Sequence, residues 1–136
     1  MTPEALLAIG GGIIIMLTFG FALYKKLPKR INRNRYTSKW RDIQKLCADK
    51  QNWPQAVMLA DQLLDNVLKK RNKVGKTMGE RMVKAQKNFS NNDAVWQAHK
   101  YANHIRSHES KKSLNESEVK QSLVAFRQAL RDLGAL

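Results

Sequence analysis

Cysteine is nearly missing from this sequence, with Cys47 the only one in 136 residues. A lone thiol excludes an internal disulfide and a cysteine-rich zinc site, and it agrees with a reducing compartment. Proline is also rare, and after the apolar stretch only Pro54 lies within a segment that has helical periodicity. No alternation of polar and apolar residues typical of strands runs beyond a few positions. These absences favour an all-α protein.

Charge is missing from a long stretch near the start. The twenty residues from Ala5 to Tyr24 carry no charged side chain, and ten of them are Leu, Ile or Phe. As a helix this stretch is roughly 30 Å long, which matches the hydrocarbon core of a bilayer. We predict a transmembrane helix over residues 5–24, preceded by a short extracytoplasmic N-terminus over residues 1–4.

Two other interpretations of the apolar stretch fit less well. A cleaved secretory signal begins with basic residues, has an apolar run of about 7–15 residues and ends in small residues. Here MTPE precedes a longer run, which ends at Tyr24 and two lysines. A buried helix of a soluble protein would show a polar stripe. We therefore expect an uncleaved membrane anchor.

Basic residues follow the span at once. All 25 lysines and arginines come after Tyr24, and the net charge of the chain is +14. Because basic residues next to a span stay on the cytoplasmic side, we predict a single-pass protein of the inner (cytoplasmic) membrane with its N-terminus outside. Residues 38–136 then form a cytoplasmic domain. The predicted membrane edge consists of the interface anchor Tyr24 and the basic flank Lys25, Lys26, Lys29, Arg30, Arg33 and Arg35.

The segment between the span and the domain, residues 25–37, is polar and basic and contains Pro28. We predict that it is a juxtamembrane tether on the lipid bilayer. Its side chains suit anionic lipid headgroups, because each Lys or Arg contributes about 1 kcal/mol near an anionic leaflet. The alternative is a stop-transfer flank with no further role. A basic surface also suits RNA or an acidic protein, and charge alone does not choose among these partners.

The rest of the chain has helical periodicity. We predict helices over Ser38–Asp49, Trp53–Arg71, Met78–Phe89 and Ala94–His108, and a last helix from a Ser113–Glu116 capping box to a C-cap at Gly134. The predicted N-caps of the middle helices are Asn52, a Thr77–Glu80 capping box and Ser90–Asp93. The strongest apolar stripe is that of Val57, Ala60, Leu63, Leu64, Val67 and Leu68. Short-looped helices with one apolar face each bury those faces by packing together, so we predict a four- to five-helix bundle after the transmembrane helix.

All three histidines lie in the predicted helix Ala94–His108. At 100° per residue, its core face is formed by Val95, Ala98, Ala102 and Ile105. One edge of that face carries His99, Asn103 and Arg106, whereas His108 lies near the other edge. His104 and His108 are spaced for a metal ion, but no third ligand stands at motif spacing. We predict no metal site and no cofactor.

Several separated motifs carry a family resemblance. In chain order they are Trp53 with Ala60–Asp65, Gly75–Arg81, Trp96–Lys100, Asn103 and His108–Glu109. They resemble the motifs of small bacterial single-pass membrane proteins that have a cytoplasmic helical domain. The fourth helix of the helical domain in that group is similar to the R-x(4-6)-H motif of HEPN domains.

The resemblance implies metal-independent RNA cleavage where the motif is complete. The arginine would hold the scissile phosphate, and the histidine would exchange a proton during attack by the ribose 2′-hydroxyl. Asn103 and His108 match the motif, but Ala102 stands in the place of its arginine. Losing that charge removes several kcal/mol of transition-state stabilisation, so we interpret the motif as degenerate. The resemblance also implies a homodimer, because HEPN domains commonly dimerise with their motifs facing each other.

We therefore expect a membrane-anchored binding or scaffolding module that is not an enzyme. The alternative is a membrane-tethered RNA-binding or ribonuclease domain of HEPN type, with His108, Asn103 and His99 as catalytic candidates. In that alternative, RNA or another anion would be contacted by Lys100, Arg106, Lys111 and Lys112. The two functions differ in RNA affinity, which falls steeply with salt when a protein neutralises phosphates.

Overall fold

The computed structural model describes residues 2–107 and 114–136, and helices account for most of them. The helices are α1 (Pro3–Lys26), α2 (Arg33–Leu46), α3 (Trp53–Lys70), α4 (Met78–Ala85), α5 (Asn92–Ser107) and α6 (Glu116–Asp132), with a 3-10 turn at Lys50–Asn52 before α3. Within the described residues there is no strand. The predicted all-α class, with one apolar N-terminal helix ahead of a helical bundle, is confirmed.

Helix α1 stands apart from the bundle. It is long and apolar enough to cross a membrane, and the described part of the chain buries none of its apolar core. Its large side chains are open on every side, among them Ile14 at 63% exposure, Met16 at 80% and Phe19 at 66%. The apolar length of this helix has no packing partner within the described chain, so water is a poor solvent for it.

Helix α3 is the centre of the bundle, and it packs against α2, α4, α5 and α6. Its predicted apolar stripe is confirmed, since every member is at most 4% exposed. The stripe meets Phe126 and Leu130 from α6 and Met82 from α4, which are fully buried. Burying each large apolar side chain contributes about 1.5–3 kcal/mol, so the contacts of α3 dominate the stability of the domain.

The start of α2 differs from the prediction. The helix begins at Arg33, five residues before the predicted Ser38, so residues 33–37 of the predicted tether are helical. Asn32 supplies the N-cap, because its side-chain oxygen accepts a hydrogen bond of 3.2 Å from the Arg35 N–H. Tyr36, Trp40 and Ile43 lie at helical spacing and are buried together. Burial of Tyr36 explains why the helix extends toward the membrane edge.

The predicted N-caps are partly right. Thr77 and Asn91 cap α4 and α5 as expected, through bonds of 3.2 Å from Glu80 N–H and 3.0 Å from Ala94 N–H. The expected cap at Asn52 is wrong, because its side chain makes no capping hydrogen bond. Asp49 instead accepts from the Gln51 N–H, one turn earlier.

Two helix limits also differ from the prediction. Helix α4 ends at Ala85, four residues before the predicted Phe89, whose side chain is nevertheless buried. Helix α6 is capped by Asn115, which accepts a bond of 2.8 Å from the Ser117 N–H. Ser113, the predicted start of that capping box, lies outside the described residues.

Helices α3 and α6 end in the same way. After α3, Asn72 has a φ of 55°, and the Lys73 N–H donates to the Leu68 carbonyl. After α6, Gly134 has a φ of 76°, and the Ala135 N–H donates to the Leu130 carbonyl. Both are Schellman motifs, in which one residue in the left-handed region lets the chain reverse over the last turn.

Replacing Gly134 by alanine is expected to destabilise the domain by about 1–2 kcal/mol, because a Cβ is unfavourable in the left-handed region. That Cβ would also lie 2.8 Å from the Arg71 guanidinium. The matched control is Gly79→Ala in α4, where the Cβ would make ordinary contacts of 3.6 Å with Trp96. Urea unfolding followed by circular dichroism gives the comparison. Equal stability of the two variants would contradict a requirement for glycine after α6.

Candidate functional site

A cleft of about 920 Å³ lies between α3, α4 and α5. Its polar lining comes from Asp61 and Asp65 of α3, Arg81 of α4 and His99, Asn103 and Arg106 of α5. Lys76, Thr77 and Gly79 form the side of the cleft at the start of α4. Asp61, Arg81 and His99 are buried, whereas Asn103 and Arg106 are exposed, so the cleft is desolvated only at its inner end.

Asp61 is the innermost polar group of the cleft. Its side chain is only 3% exposed, although it lies in the middle of the apolar helix α3. One carboxylate oxygen is 2.7 Å from His99 Nδ1, and the other accepts a hydrogen bond of 3.0 Å from Arg106 Nη2. Because a buried carboxylate without partners is strongly unfavourable, these two contacts are what allow an aspartate at this position.

The α5 residues of the cleft are also bonded to each other. Asn103 Nδ2 lies 3.3 Å from His99 Nε2, and Arg106 Nη1 donates to Asn103 Oδ1 at 2.6 Å. In the tautomer with its hydrogen on Nδ1, His99 donates to Asp61 and accepts from the Asn103 amide at Nε2. Both ring nitrogens of His99 are therefore engaged, and the four side chains form a closed network between α3 and α5.

A second ion pair closes the cleft on the side of α4. Arg81 donates two parallel hydrogen bonds to Asp65, of 2.7 and 3.0 Å, and a third to the Gly75 carbonyl. Lys69 lies 3.2 Å from the same carboxylate. Burial alone would raise the pKa of Asp65, but the hydrogen bonds and charges of Arg81 and Lys69 outweigh burial and lower that pKa below 3.8. This bidentate ion pair holds α4 and the loop before it against α3.

The structure brings together three of the residues predicted from the sequence. His99, Asn103 and Arg106 lie along one edge of α5, as the helical periodicity indicates, and they face one cleft. Lys100 is not part of it, because it lines a separate groove between α5 and α6. Ala102 is fully buried in the core. His108, Lys111 and Lys112 lie outside the described residues.

Three site residues, Asp61, Asp65 and Arg81, were not predicted from the sequence. The two aspartates are one helical turn apart on α3, and Asp61 directly follows Ala60 of the buried stripe. An acid at the border of an apolar stripe is the signal that could have identified Asp61, because such a residue requires a buried partner. In residues 2–107 and 114–136, no three His, Cys, Asp or Glu side chains are grouped as metal ligands would be.

Comparisons with protein-family models, with curated proteins and with solved structures found no match to this chain. The relation to HEPN domains thus stays a prediction from the motifs quoted above. The geometry of the cleft is the basis on which a function can be argued.

Replacing Asp61 by asparagine is expected to lower the free energy of unfolding by about 1–3 kcal/mol, since Arg106 and His99 lose a charged acceptor in a buried site. Asp42→Asn is the matched control. It makes the same chemical change at a carboxylate whose side chain is 71% exposed and 3.9 Å from Lys45, so its effect should stay within about 0.5 kcal/mol. Urea unfolding measures both, and similar losses in the two variants would contradict a supporting role for Asp61.

Acid is expected to weaken the bidentate ion pair between Asp65 and Arg81. The pKa of Asp65 is lower in the folded chain than the usual 3.8, so its stabilisation is complete above that value and is lost as the pH falls through the lowered pKa. The difference in unfolding free energy between wild type and Asp65→Asn should be constant near neutral pH and shrink in acid. Unfolding curves across that range test this, and a difference that is independent of pH would exclude the assignment.

Proposed function

We propose that this chain is a membrane-anchored helical module that binds or scaffolds a partner and does not catalyse a reaction. In this proposal, helix α1 is the membrane anchor and the bundle of α2–α6 is the cytoplasmic domain. The bilayer would be the inner membrane of a bacterium, with the N-terminus outside. Tyr24 and the basic flank that begins at Lys25 would lie at the cytoplasmic headgroups.

The observation that carries the anchor is the exposure of the apolar side chains that the structure describes in α1. A helix of 24 residues with no buried apolar core and Leu, Ile, Met and Phe on all sides matches the hydrocarbon of a bilayer in length and chemistry. The basic Lys25 and Lys26 occupy its last turn. They favour a stop at the membrane surface with the bundle on the same side.

The closed network around His99 supports a binding role over catalysis. A general base needs a free nitrogen within reach of the proton it removes, yet Asp61 and Asn103 occupy both ring nitrogens. Arg106 and Arg81 are likewise each held by a carboxylate. Groups satisfied in this way rigidify the walls of a cleft, and such a pre-formed surface suits recognition of a partner.

A second candidate function is RNA binding or cleavage, and one observation favours it. His99, Asn103 and Arg106 converge on a single cleft with Arg81 and Lys76. Imidazole and guanidinium groups in one cleft are the chemistry that contacts phosphate and exchanges protons near neutral pH. This candidate needs the network to open when RNA binds, because the ring nitrogens of His99 and the guanidinium groups of Arg81 and Arg106 already have partners in the chain alone.

Lysines in the middle of α1 are expected to release the protein from membranes. The variant with Ile14→Lys and Leu17→Lys adds about 2.5–3.5 kcal/mol per residue to the free energy of insertion. The control carries Val83→Lys and Val124→Lys, the same change at apolar residues of the bundle that are 50% and 68% exposed. Flotation of cell membranes after an alkaline wash should retain the control and lose the α1 variant. Retention of both would contradict the anchor.

The non-enzymatic proposal predicts that RNA stays intact. Purified full-length protein in detergent is incubated with mixed RNA in EDTA, beside His99→Ala and His108→Ala variants. Cleavage by the wild type that either substitution abolishes would overturn the proposal and favour the ribonuclease. Binding without cleavage that weakens steeply with salt, and weakens again in a Lys111→Ala, Lys112→Ala variant, would instead identify an RNA-binding module.

A further inference from the structure

We propose that the turn after α3 is a second membrane-contact site, which binds anionic phospholipid headgroups and holds one end of the bundle against the bilayer. The inference rests on the membrane anchoring proposed above, because it requires α1 to lie in a bilayer. Its basic residues are remote in sequence from the span. They are Lys69, Lys70 and Lys73, with Arg71 between them.

Two hydrogen bonds join this turn to the end of the span. The Lys29 N–H donates to the Lys70 carbonyl at 3.1 Å, and Asn72 Nδ2 donates to the Lys26 carbonyl at 2.8 Å. Lys26 is the last residue of α1, so Asn72 caps that helix from another part of the chain. The turn is thereby fixed at the point where the chain would leave the membrane.

Asn72 is held in an unusual backbone conformation to make this contact. Its φ of 55° is in the left-handed region, which Asn tolerates better than most residues and Gly best of all. A glycine would complete the Schellman motif equally well but would have no side chain to reach Lys26. The choice of asparagine is thus explained by the contact between the bundle and the span.

The positive charge at this end exceeds what the helix ends can balance. Residues 25–35 and 69–73 together contain ten Lys and Arg and no Asp or Glu. Three helix C-termini meet here, since the α1 and α3 ends contact each other and Arg71 donates to the Leu133 carbonyl just after α6. Each of these C-termini carries about half a negative charge, and the N-terminus of α2 at Arg33 carries about half a positive charge. Together they offset roughly one of the ten positive charges.

Few acidic side chains neutralise the remaining positive charge of these residues. Lys69 lies beside Asp65, which also binds Arg81, and Arg71 donates to the Leu133 carbonyl. The unbalanced charge lies at the end of an apolar helix that fits a bilayer. With α1 in a bilayer, as proposed, this charge would stand at the headgroup layer, within a Debye length of roughly 10 Å, whereas RNA would have to be recruited from solution. Position therefore favours lipid over RNA as the anion.

The test places a fluorescent probe beside the turn. Val74 is 76% exposed and next to Lys73, so full-length protein with Cys47→Ser and Val74→Cys is labelled with bimane at residue 74. It is reconstituted into vesicles of phosphatidylcholine alone or mixed with phosphatidylglycerol, each with a trace of lipid spin-labelled at the headgroup. Quenching of bimane by the spin label reports contact between the turn and the membrane surface.

Stronger quenching is expected in the anionic vesicles, and it should decline as salt is added. Changing Lys69, Lys70 and Lys73 to Gln should return it to the level in neutral vesicles, because each lysine lost lowers the docked-to-undocked ratio about fivefold. The matched control changes Lys45, Lys50 and Lys120 to Gln. These lie at the other ends of α2, α3 and α6, about 20–27 Å away by helix rise, and should keep the quenching.

The outcomes separate this inference from the anchor. Protein that floats with vesicles but is quenched equally in both lipid mixtures overturns the second contact and leaves the anchor intact. Protein that does not float overturns the anchor on which it rests. Equal quenching in both mixtures, combined with RNA binding that the triple Lys69, Lys70 and Lys73 variant loses, would assign the basic surface to nucleic acid.

Discussion

A single buried carboxylate determines how the polar part of this domain is arranged. Asp61 lies in the middle of α3, the helix that every other bundle helix contacts, and its side chain is almost fully enclosed. A charge in such a place requires partners, and His99 and Arg106 of α5 supply them. The position of α5 on α3, and with it one wall of the cleft, follows from that requirement.

The C-terminal half of α3 then serves two purposes. Toward its C-terminus, Asp65 binds Arg81 and fixes α4, which forms the opposite wall of the cleft. At its last residues, the chain reverses at Asn72 and contacts the end of α1. One central helix thus connects the proposed membrane anchor to the proposed binding surface through short, directed hydrogen bonds, so the cleft keeps a defined position relative to the span.

Features that depend on residues close together in sequence could be predicted, whereas features that depend on residues far apart in sequence could not. The apolar stripe of α3 and the alignment of His99, Asn103 and Arg106 follow from the helical period alone. The start of α2 was placed too late, because polar neighbours conceal the burial of Tyr36. Asp61 was missed because its partners lie 38 and 45 residues away. Its place at the border of the apolar stripe signals a buried partner, but only the packing of α5 on α3 shows which residues that partner comprises.

The coupling free energy between Asp61 and His99 tests the central role of the buried carboxylate most directly. A double-mutant cycle with Asp61→Asn and His99→Gln, read by urea unfolding of the full-length protein, isolates the interaction from the cost of each change. We expect a coupling of about 0.5–3 kcal/mol, as for residues in one buried network. The two changes would instead add within about 0.3–0.5 kcal/mol if the residues were independent. Additivity would contradict the claim that Asp61 holds the two helices together.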